Sequence, residues 1–219
     1  MRFTARLGGS ELIKKNFARN FKQDRKMEKG NTLYIESKTF DKTNFTVVAL
    51  PKGEYDNCTF TDCEFYTSDL TGINFTECSF NGCNLSLAKI SQAAFKEVTF
   101  RECKLLGLHF ENCNPFLFAI DFDRSTLNLS SFYQLNLKRC KFKKCSLQEV
   151  DFTEADLSAL VLDHCDLAGA IFENSMLEKT DFRSTFNYTI DPEKNRMKKA
   201  RFSLSGVSGL LNKYGILLE

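Results

Sequence analysis

Nine cysteines and two histidines are the most reactive side chains among the 219 residues of this chain. A cysteine activated by a histidine can serve as a nucleophile, and closely clustered Cys and His side chains can bind zinc. The cysteines form no Cys-x-x-Cys pair, and the chain has no G-x-S-x-G motif, P-loop or glycine-rich dinucleotide turn. We therefore predict a protein that is not an enzyme and has no metal site or cofactor.

Large apolar residues recur every five residues along most of the chain. Every fifth residue from Ile35 to Phe110 is large and apolar, and a second unbroken series runs from Phe122 to Phe182. Twelve residues separate Phe110 from Phe122, which is two repeats plus two residues, so the phase slips near residues 112–119. A period of five fits neither a helix nor a long strand. Each repeat must therefore be a short extended piece followed by a corner.

A second inward position lies two residues before each of these apolar centres. Small or apolar residues fill it, and all nine cysteines occupy it. Residues two apart in an extended piece share one face, so we expect every thiol to be buried as a small, soft hydrophobe. His109 and His164 fall at outward positions, on the far side of the wall from the thiols. This placement excludes a Cys/His catalytic pair, and the odd number of cysteines argues against a disulfide framework.

A single five-residue piece cannot bury its apolar side, so such pieces are stable only in coils that stack on one another. The pattern predicts an all-β solenoid. Its segments Ala155–Ala159 (ADLSA), Cys165–Gly169 (CDLAG) and Cys83–Leu87 (CNLSL) resemble the A(D/N)LXX repeat of the pentapeptide-repeat family. The resemblance covers residues 33–184 and implies a right-handed quadrilateral β-helix with about twenty residues per coil.

This coil length predicts which residues stack. Cys58 should lie on Cys78, and Cys145 on Cys165. A further ladder should contain Cys63, Cys83 and Cys103.

The charges divide the chain into three parts. Residues 1–30 carry nine basic and three acidic residues, residues 31–185 carry fifteen and twenty-two, and residues 186–219 carry six and three. We expect a basic, flexible leader over 1–30, the β-helix over 31–185 and a helical cap over 186–219. In the leader Ile13, Phe17 and Phe21 are spaced as on one face of a short helix, but three apolar residues are few for a membrane anchor. An extension upstream of a start at Met27 is the other interpretation of this segment.

Most wall charges should neutralise one another. The coil register places Asp121, Asp123, Asp163 and Asp181 beside Lys or Arg side chains, including the basic cluster Lys138, Arg139, Lys141, Lys143 and Lys144. Opposite charges on neighbouring strands favour a self-neutralised ladder over a nucleic-acid patch.

Four acids and two aromatic residues form the candidate partner surface. Asp62, Glu77, Glu97 and Glu102 have less evident cationic neighbours in the register. The slip exposes the run Phe116–Phe118, of which alternation can turn one or two residues inward. Phe116 and Phe118 either anchor a partner beside the acids or plug the widened coil.

The C-terminal segment carries signals for short helices. Asp191, Pro192 and Glu193 resemble a helix N-cap, first position and acidic first turn for a helix through Lys199. A last repeat centred on Phe202 follows. Four apolar residues follow it: Val207, Leu210, Leu211 and Ile216. We expect them to cover the open end of the solenoid and to form the interface of a homodimer.

The ending 209–216 (GLLNKYGI) is similar to the C-terminal helix of the Qnr-type quinolone-resistance proteins. That resemblance implies a homodimer that binds DNA gyrase or topoisomerase IV as an acidic mimic of duplex DNA, without binding nucleic acid itself. This chain lacks the longer loops of the Qnr type, and its body charge is modest beside that of DNA. A scaffold for another protein partner, with no topoisomerase activity, is therefore the alternative. No apolar run is long enough to span a membrane, so we expect a cytoplasmic protein.

Overall fold

The chain winds into a parallel β-solenoid. The computed structural model describes residues 26–27 and 32–216. The strands are β1 (Lys26–Met27), β2 (Leu33–Glu36), β3 (Thr39–Asp41), β4 (Glu54–Asp56), β5 (Thr59–Thr61), β6 (Asn74–Thr76), β7 (Ser79–Asn81), β8 (Ala94–Lys96), β9 (Val98–Arg101), β10 (Ile120–Asp123), β11 (Lys141–Lys143) and β12 (Leu162–Asp163). The helical elements are the α-helix α1 (Ser208–Leu211) and 3-10 helices at Phe110–Asn112, Leu204–Gly206 and Asn212–Tyr214. The predictions for residues 1–25 lie outside the described residues.

Four ladders of backbone pairs run along the solenoid and define its four faces. Face one contains β1, β2, β4, β6 and β8, and face two contains β3, β5, β7 and β9–β12. Face three is held by isolated bridges such as Asn44 to Glu64, and face four by bridges such as Asp69 to Lys89. Ladder partners are parallel, except that β1 pairs antiparallel with β2. Partners twenty residues apart, such as Phe40 and Phe60, confirm the predicted coil of four five-residue pieces.

A left-handed residue turns the chain at most corners between faces. It lies two positions after the apolar centre, as at Glu77 (φ 52°) and Leu87 (φ 58°). A positive φ is unfavourable for residues other than glycine, by about 1–2 kcal/mol each. The corner is nevertheless occupied mostly by other residues, because the ladders on both sides fix the backbone there.

Stacked aromatic rings fill the core. Along face two the ring centroids of Phe40, Phe60, Phe80 and Phe100 are 4.7, 4.6 and 4.8 Å apart in succession. The predicted burial of all nine cysteines is confirmed. The predicted stacking of Cys83 on Cys63 is also confirmed, since the Cys63 amide donates to Cys83 Sγ at 3.4 Å.

The register slip lies where the sequence predicts it. Strand β10 pairs with β9 so that Ile120 is opposite Val98, and the two extra residues fall in the preceding turn. There the Phe116 amide donates to Asn114 Oδ1 at 2.9 Å. Phe118 turns inward and packs edge-on against Phe110 at 6.2 Å.

The solenoid continues past residue 185. Arg196 pairs with Met176, and Arg201 pairs with Asp181. The helix predicted from Asp191 to Lys199 is therefore wrong, although the turn at residues 192–194 begins with the Glu193 amide donating to Asp191 Oδ1 at 2.9 Å. The ladder prevails because it gives each new coil a full set of backbone hydrogen bonds. The repeat predicted around Phe202 is confirmed, since its ring stacks 5.0 Å from that of Phe182.

Candidate interaction surface

Two of the inward thiols, Cys83 and Cys140, have raised pKa values and are protonated at neutral pH. Cys83 Sγ donates to the Phe60 carbonyl oxygen at 3.4 Å. Its contact with the Cys103 thiol and its burial raise the pKa of Cys83 to about 12. Burial likewise raises the pKa of Cys140 to about 12. Because a thiolate is the nucleophile in cysteine chemistry, these side chains are inert at neutral pH.

The two histidines lie on the outer side of the wall. His109 Nδ1 is 2.8 Å from Glu111 Oε1, and His164 Nδ1 is 2.6 Å from Asp163 Oδ1. Both rings are exposed to solvent, whereas the thiols face the core. Within the described residues, no three His, Cys, Asp or Glu side chains are grouped as a metal site would require. None of the helices in this part of the chain has the length and apolarity needed to cross a membrane.

The four candidate acids border one face of the solenoid. Glu77 and Glu97 occupy the corner between faces one and two, and Asp62 and Glu102 occupy the corner between faces two and three. Between these corners face two presents the short polar side chains of Thr59, Thr61, Ser79, Asn81 and Thr99, together with Arg101, whose Nε lies 3.4 Å from Asp123 Oδ2. We refer to this region as the acid-bordered face.

Two of the four acids have cationic partners that the sequence did not reveal. Arg124 Nε lies 2.9 Å from Glu102 Oε1. Arg139 Nη2 lies 3.3 Å from Glu97 Oε1, although the two residues are two coils apart. The intervening coil carries the slip and presents the small Ala119 there, in a hollow of about 340 Å³ that both residues line. The expectation of uncompensated charge is therefore wrong for Glu97 and Glu102.

The other two acids, Asp62 and Glu77, have no ion-pair partner within 4.0 Å among the residues that the structure describes. Both side chains stand on exposed corners. The unpaired negative charge of the acid-bordered face is thus carried by one residue at each border.

Three of the four acids that were predicted to lie beside Lys or Arg form such pairs, whereas Asp163 lies within 4.0 Å only of the His164 ring among the described residues. Asp121 Oδ2 lies 2.7 Å from Lys141 Nζ, and Asp181 Oδ2 lies 2.7 Å from Arg183 Nη2. Hydrogen bonds from Arg183 lower the pKa of Asp181. Asp123 contacts Arg124 at 3.1 Å. In the basic cluster, three side chains are paired: Lys138 with Asp156, Arg139 with Glu97, and Lys141 with Asp121.

The slip separates its two aromatic residues. Phe116 is 65% exposed, and the Lys96 ammonium lies 5.8 Å from its ring centre. Phe118 is buried and fills the widened coil, so it is not part of the candidate partner surface. Alternation alone could not decide which of the two would turn inward.

The residues predicted to join two copies have different environments. Leu210 packs against the end of the hydrophobic core, and Val207 and Leu211 are half-buried. Ile216 is exposed. Leu204 and Tyr214 of the same terminal segment are also exposed, and the sequence pattern did not single them out. Lys213 fixes the segment to the last coil, since its Nζ lies 2.6 Å from Asp191 Oδ1 and 2.7 Å from Glu193 Oε2.

Family models match residues 73–183 of the chain, a range that includes the slip. A pentapeptide repeat region is matched over residues 73–152, and eight copies of the pentapeptide repeat over residues 145–183. The chain belongs to the pentapeptide-repeat family. Comparison with curated protein sequences gives no match.

Solved structures of this family have the same fold. Trypsin-treated QnrB1, a plasmid-mediated fluoroquinolone resistance protein, matches with a TM-score of 0.62 and 16% identity, over 85% of this chain and 91% of that one. HetL of the cyanobacterium Nostoc, which is involved in heterocyst differentiation regulation, matches with a TM-score of 0.52 and 16% identity, over 92% of this chain and 96% of that one. At such identities the likeness establishes the pentapeptide-repeat fold, and function must be argued from surfaces.

Proposed function

We propose that this pentapeptide-repeat protein is a non-enzymatic interaction protein that binds a type II DNA topoisomerase, gyrase or topoisomerase IV, through the acid-bordered face. The observation that carries the proposal is the position of Asp62 and Glu77, unpaired on opposite borders of one polar face. A protein groove that binds the DNA backbone is lined by Lys and Arg, which attract carboxylates displayed along a rod. The fluoroquinolone resistance named for QnrB1 is consistent with such a target.

In this mechanism the solenoid occupies the DNA groove of the enzyme and competes with duplex DNA. The short Thr, Ser and Asn side chains between the borders let the face approach the enzyme closely, and the acids set the orientation. Binding in place of DNA would reduce formation of the quinolone-trapped complex. The protein would act in the cytoplasm, where the enzyme and its DNA are found.

The test is a charge reversal of the two unpaired acids. We expect Asp62→Lys combined with Glu77→Lys to leave folding nearly unchanged, because both residues are on the surface. Binding to the purified gyrase subunits should weaken, most strongly at low salt, and protection of supercoiling from a quinolone should be lost. The matched control is Glu149→Lys with Glu154→Lys, which changes the net charge equally at two other corners. Equal gyrase binding by the Asp62/Glu77 variant and the parent at low salt would refute the proposal.

A scaffold for a different protein is the second candidate function. The pairs Glu97–Arg139 and Glu102–Arg124 favour it, because they neutralise half of the acids on the acid-bordered face. A parent protein that binds neither gyrase nor topoisomerase IV would select the scaffold.

The assembly proposed is a homodimer formed through the C-terminal segment. Leu204, Tyr214 and Ile216 give this end an exposed apolar surface beyond the part that caps the core. We expect Ile216→Lys to yield monomers in light scattering without loss of thermal stability. Leu210→Lys should instead lower the melting temperature, because Leu210 packs on the core. A parent chain that is monomeric at high concentration would exclude the dimer.

A further inference from the structure

One corner of the solenoid reverses its charge along the chain. Before the slip, the corner between faces one and two carries Glu77 and Glu97, whereas in the last two coils it carries Lys179 and Lys199. Four further cations lie on the two faces beside these lysines: Arg196 and Lys198 on face one, and Arg183 and Arg201 on face two. We call these six residues the basic corner.

The side chains of the basic corner are available to a ligand. All six residues are exposed. Arg183 and Arg201 share one acid, Asp181, whose Oδ2 lies 2.7 Å from Arg183 Nη2 and 3.8 Å from Arg201 Nη1. The other four cations have no ion-pair partner within 4.0 Å among the residues that the structure describes.

The acids around the basic corner do not cancel its charge. On the same coils and faces the chain has Asp181 and the half-buried Glu178, so six cations stand against two acids, a net charge of +4. In the preceding coil Asp156 pairs with Lys138 at 2.6 Å, and Asp163 lies 2.6 Å from the His164 ring. The segment 202–216 that follows contains no acidic residue.

The opposite side of the same coils has the opposite sign. Faces three and four carry four acids there: Asp166, Glu173, Asp191 and Glu193. The two cations on that side are already paired, Lys194 with Glu173 and Lys213 with both Asp191 and Glu193. The positive charge of the last coils is therefore confined to one side of the rod.

We infer that the basic corner is a binding site for the phosphate backbone of duplex DNA. The corner is convex and has cations on both flanks. Lys198 on one flank is three residues from Arg201 on the other, so their Cα atoms are at most about 11 Å apart. The major groove of B-DNA is about 12 Å wide and is bounded by a phosphate strand on each side. The corner fits between these strands with its lysines and arginines directed at the phosphates.

Two other anionic partners fit the basic corner less well. A flat bilayer surface would meet only the edge, where Lys179 and Lys199 lie, and would miss the cations on the flanks. A protein interface has apolar and aromatic side chains at its centre and charges at its rim. Here every outward position from Glu178 to Arg183 and from Lys198 to Arg201 is charged, so the corner offers no apolar anchor.

The site differs from both surfaces considered above. The coil register favoured self-neutralisation for the cluster Lys138–Lys144, and the basic corner lies in later coils with fewer acids. Lysine and arginine on phosphates carry no sequence information, so DNA of any sequence should bind. The inference does not rest on topoisomerase binding, because the basic corner shares no residue with the acid-bordered face.

The test removes charge from the basic corner without touching the core. A variant with Lys179→Gln, Lys198→Gln and Lys199→Gln should keep its thermal stability, because all three side chains are exposed and unpaired. The probe is a short fluorescent DNA duplex, with binding measured by anisotropy at several salt concentrations. We expect the variant to bind about tenfold or more weakly at low salt. Its plot of log affinity against log salt should be shallower by about one unit for each lysine removed.

The matched control removes the same charge elsewhere. Lys52→Gln, Lys89→Gln and Lys104→Gln change three exposed lysines away from the basic corner, and this variant should bind the duplex like the parent. An equal loss in both variants would reduce the effect to net charge and overturn the proposal. So would a parent that does not bind the duplex at low salt, or a Lys179/Lys198/Lys199 variant that binds it as well as the parent.

Two competing probes distinguish the class of partner. They are vesicles of phosphatidylserine with phosphatidylcholine, and a polyglutamate of the same charge as the duplex. We expect both to bind the parent more weakly than the duplex does. Tighter binding of the vesicles would overturn the proposal in favour of a membrane surface, and tighter binding of polyglutamate in favour of an acidic protein. The assay contains no topoisomerase, so its failure is distinguishable from failure of the topoisomerase proposal.

Discussion

The coils before the slip (residues 33–111) and the coils after it (residues 120–202) have the same period but different chemistry. Strands β2–β9 form two faces of the first half, whereas the second half has only β10–β12, all on face two, within the described chain. The inward position before each centre also differs. Cysteine is frequent there in the first half, which also has Ser68 with a buried hydroxyl, whereas the fully buried serine and threonine side chains at this position lie in the second half.

At several inward positions the side chain donates a hydrogen bond. In the first half Cys78 Sγ donates to the Tyr55 carbonyl oxygen at 3.3 Å. In the second half Ser175 Oγ donates to the Phe152 carbonyl oxygen at 2.9 Å, and Thr180 Oγ1 to that of Leu157 at 2.8 Å. In each case the acceptor is the backbone carbonyl of the central apolar residue of a repeat in the preceding coil. A thiol is a weak donor and a good hydrophobe, while a hydroxyl is a stronger donor that must be satisfied when buried.

The largest expected effect is the loss of a stacked ring. Phe80 lies between Phe60 and Phe100, at 4.6 and 4.8 Å, so Phe80→Ala should lower the free energy of unfolding by roughly 3–5 kcal/mol. Leu147→Ala in the second half should cost less, because Leu147 is smaller and belongs to no ring stack. Urea unfolding measures both, with the exposed Tyr133→Ala as control. A neutral Phe80→Ala would contradict the register of the solenoid.

An intermediate effect should distinguish the two kinds of donor. Thr180→Val removes one of the two donors to the Leu157 carbonyl, which still accepts from the Leu160 amide, and should cost about 0.5–1.5 kcal/mol. Cys78→Ala removes a weaker donor and should cost less. Cys83→Ser exchanges the first-half donor for the second-half one, and should cost less than Phe80→Ala. Thr126→Val, at an exposed outward position, is the control. Equal costs for Thr180→Val and Cys78→Ala would show that donor strength does not matter at this position.

The smallest effect concerns pH. The pKa values of Cys83 and Cys140 are raised to about 12 from the ordinary 9.0, so these thiols favour folding fully below pH 9. Above that pH the unfolded thiols ionise while the folded ones stay protonated, and stability should fall progressively as pH rises toward the folded pKa. Urea unfolding from neutral pH to about pH 10 measures this loss, and variants with Cys83→Ala and Cys140→Ala should show less of it.

Alkylation under native conditions checks the same burial. All nine thiols should react slowly, and a Ser91→Cys variant at an exposed position should react quickly at the new residue alone. Rapid labelling of the parent protein in the folded state would contradict the buried thiol ladders.

The sequence predicted most of the fold because inward positions obey one strong rule. Burial of a large side chain every five residues requires stacked coils, and the twenty-residue coil that the family resemblance implies then places Phe80 on Phe60 and Cys83 on Cys63. The pair Asp121–Lys141 follows as well, since it joins direct neighbours on one ladder. The helix at residues 191–199 was mispredicted because its capping residues are a local signal, and pairing with the coil of Met176 overrode them.

Outward and terminal features were decided by the tertiary structure. The twenty-residue register did not predict the pair of Arg139 and Glu97, because these residues are two coils apart. The long Arg139 side chain reaches Glu97 because the slip places the small Ala119 between them. Nor could the register choose between Phe116 and Phe118, whose directions depend on where the two extra residues are accommodated. The exposed side chains of Tyr66, Leu87, Leu106 and Leu129 are likewise brought together by two neighbouring ladders. The five-residue period determined which side chains of this protein face inward, because each repeat must bury its apolar side. Which of them stack depended on the coil length, and the outer contacts depended on side-chain reach and on the position of the slip.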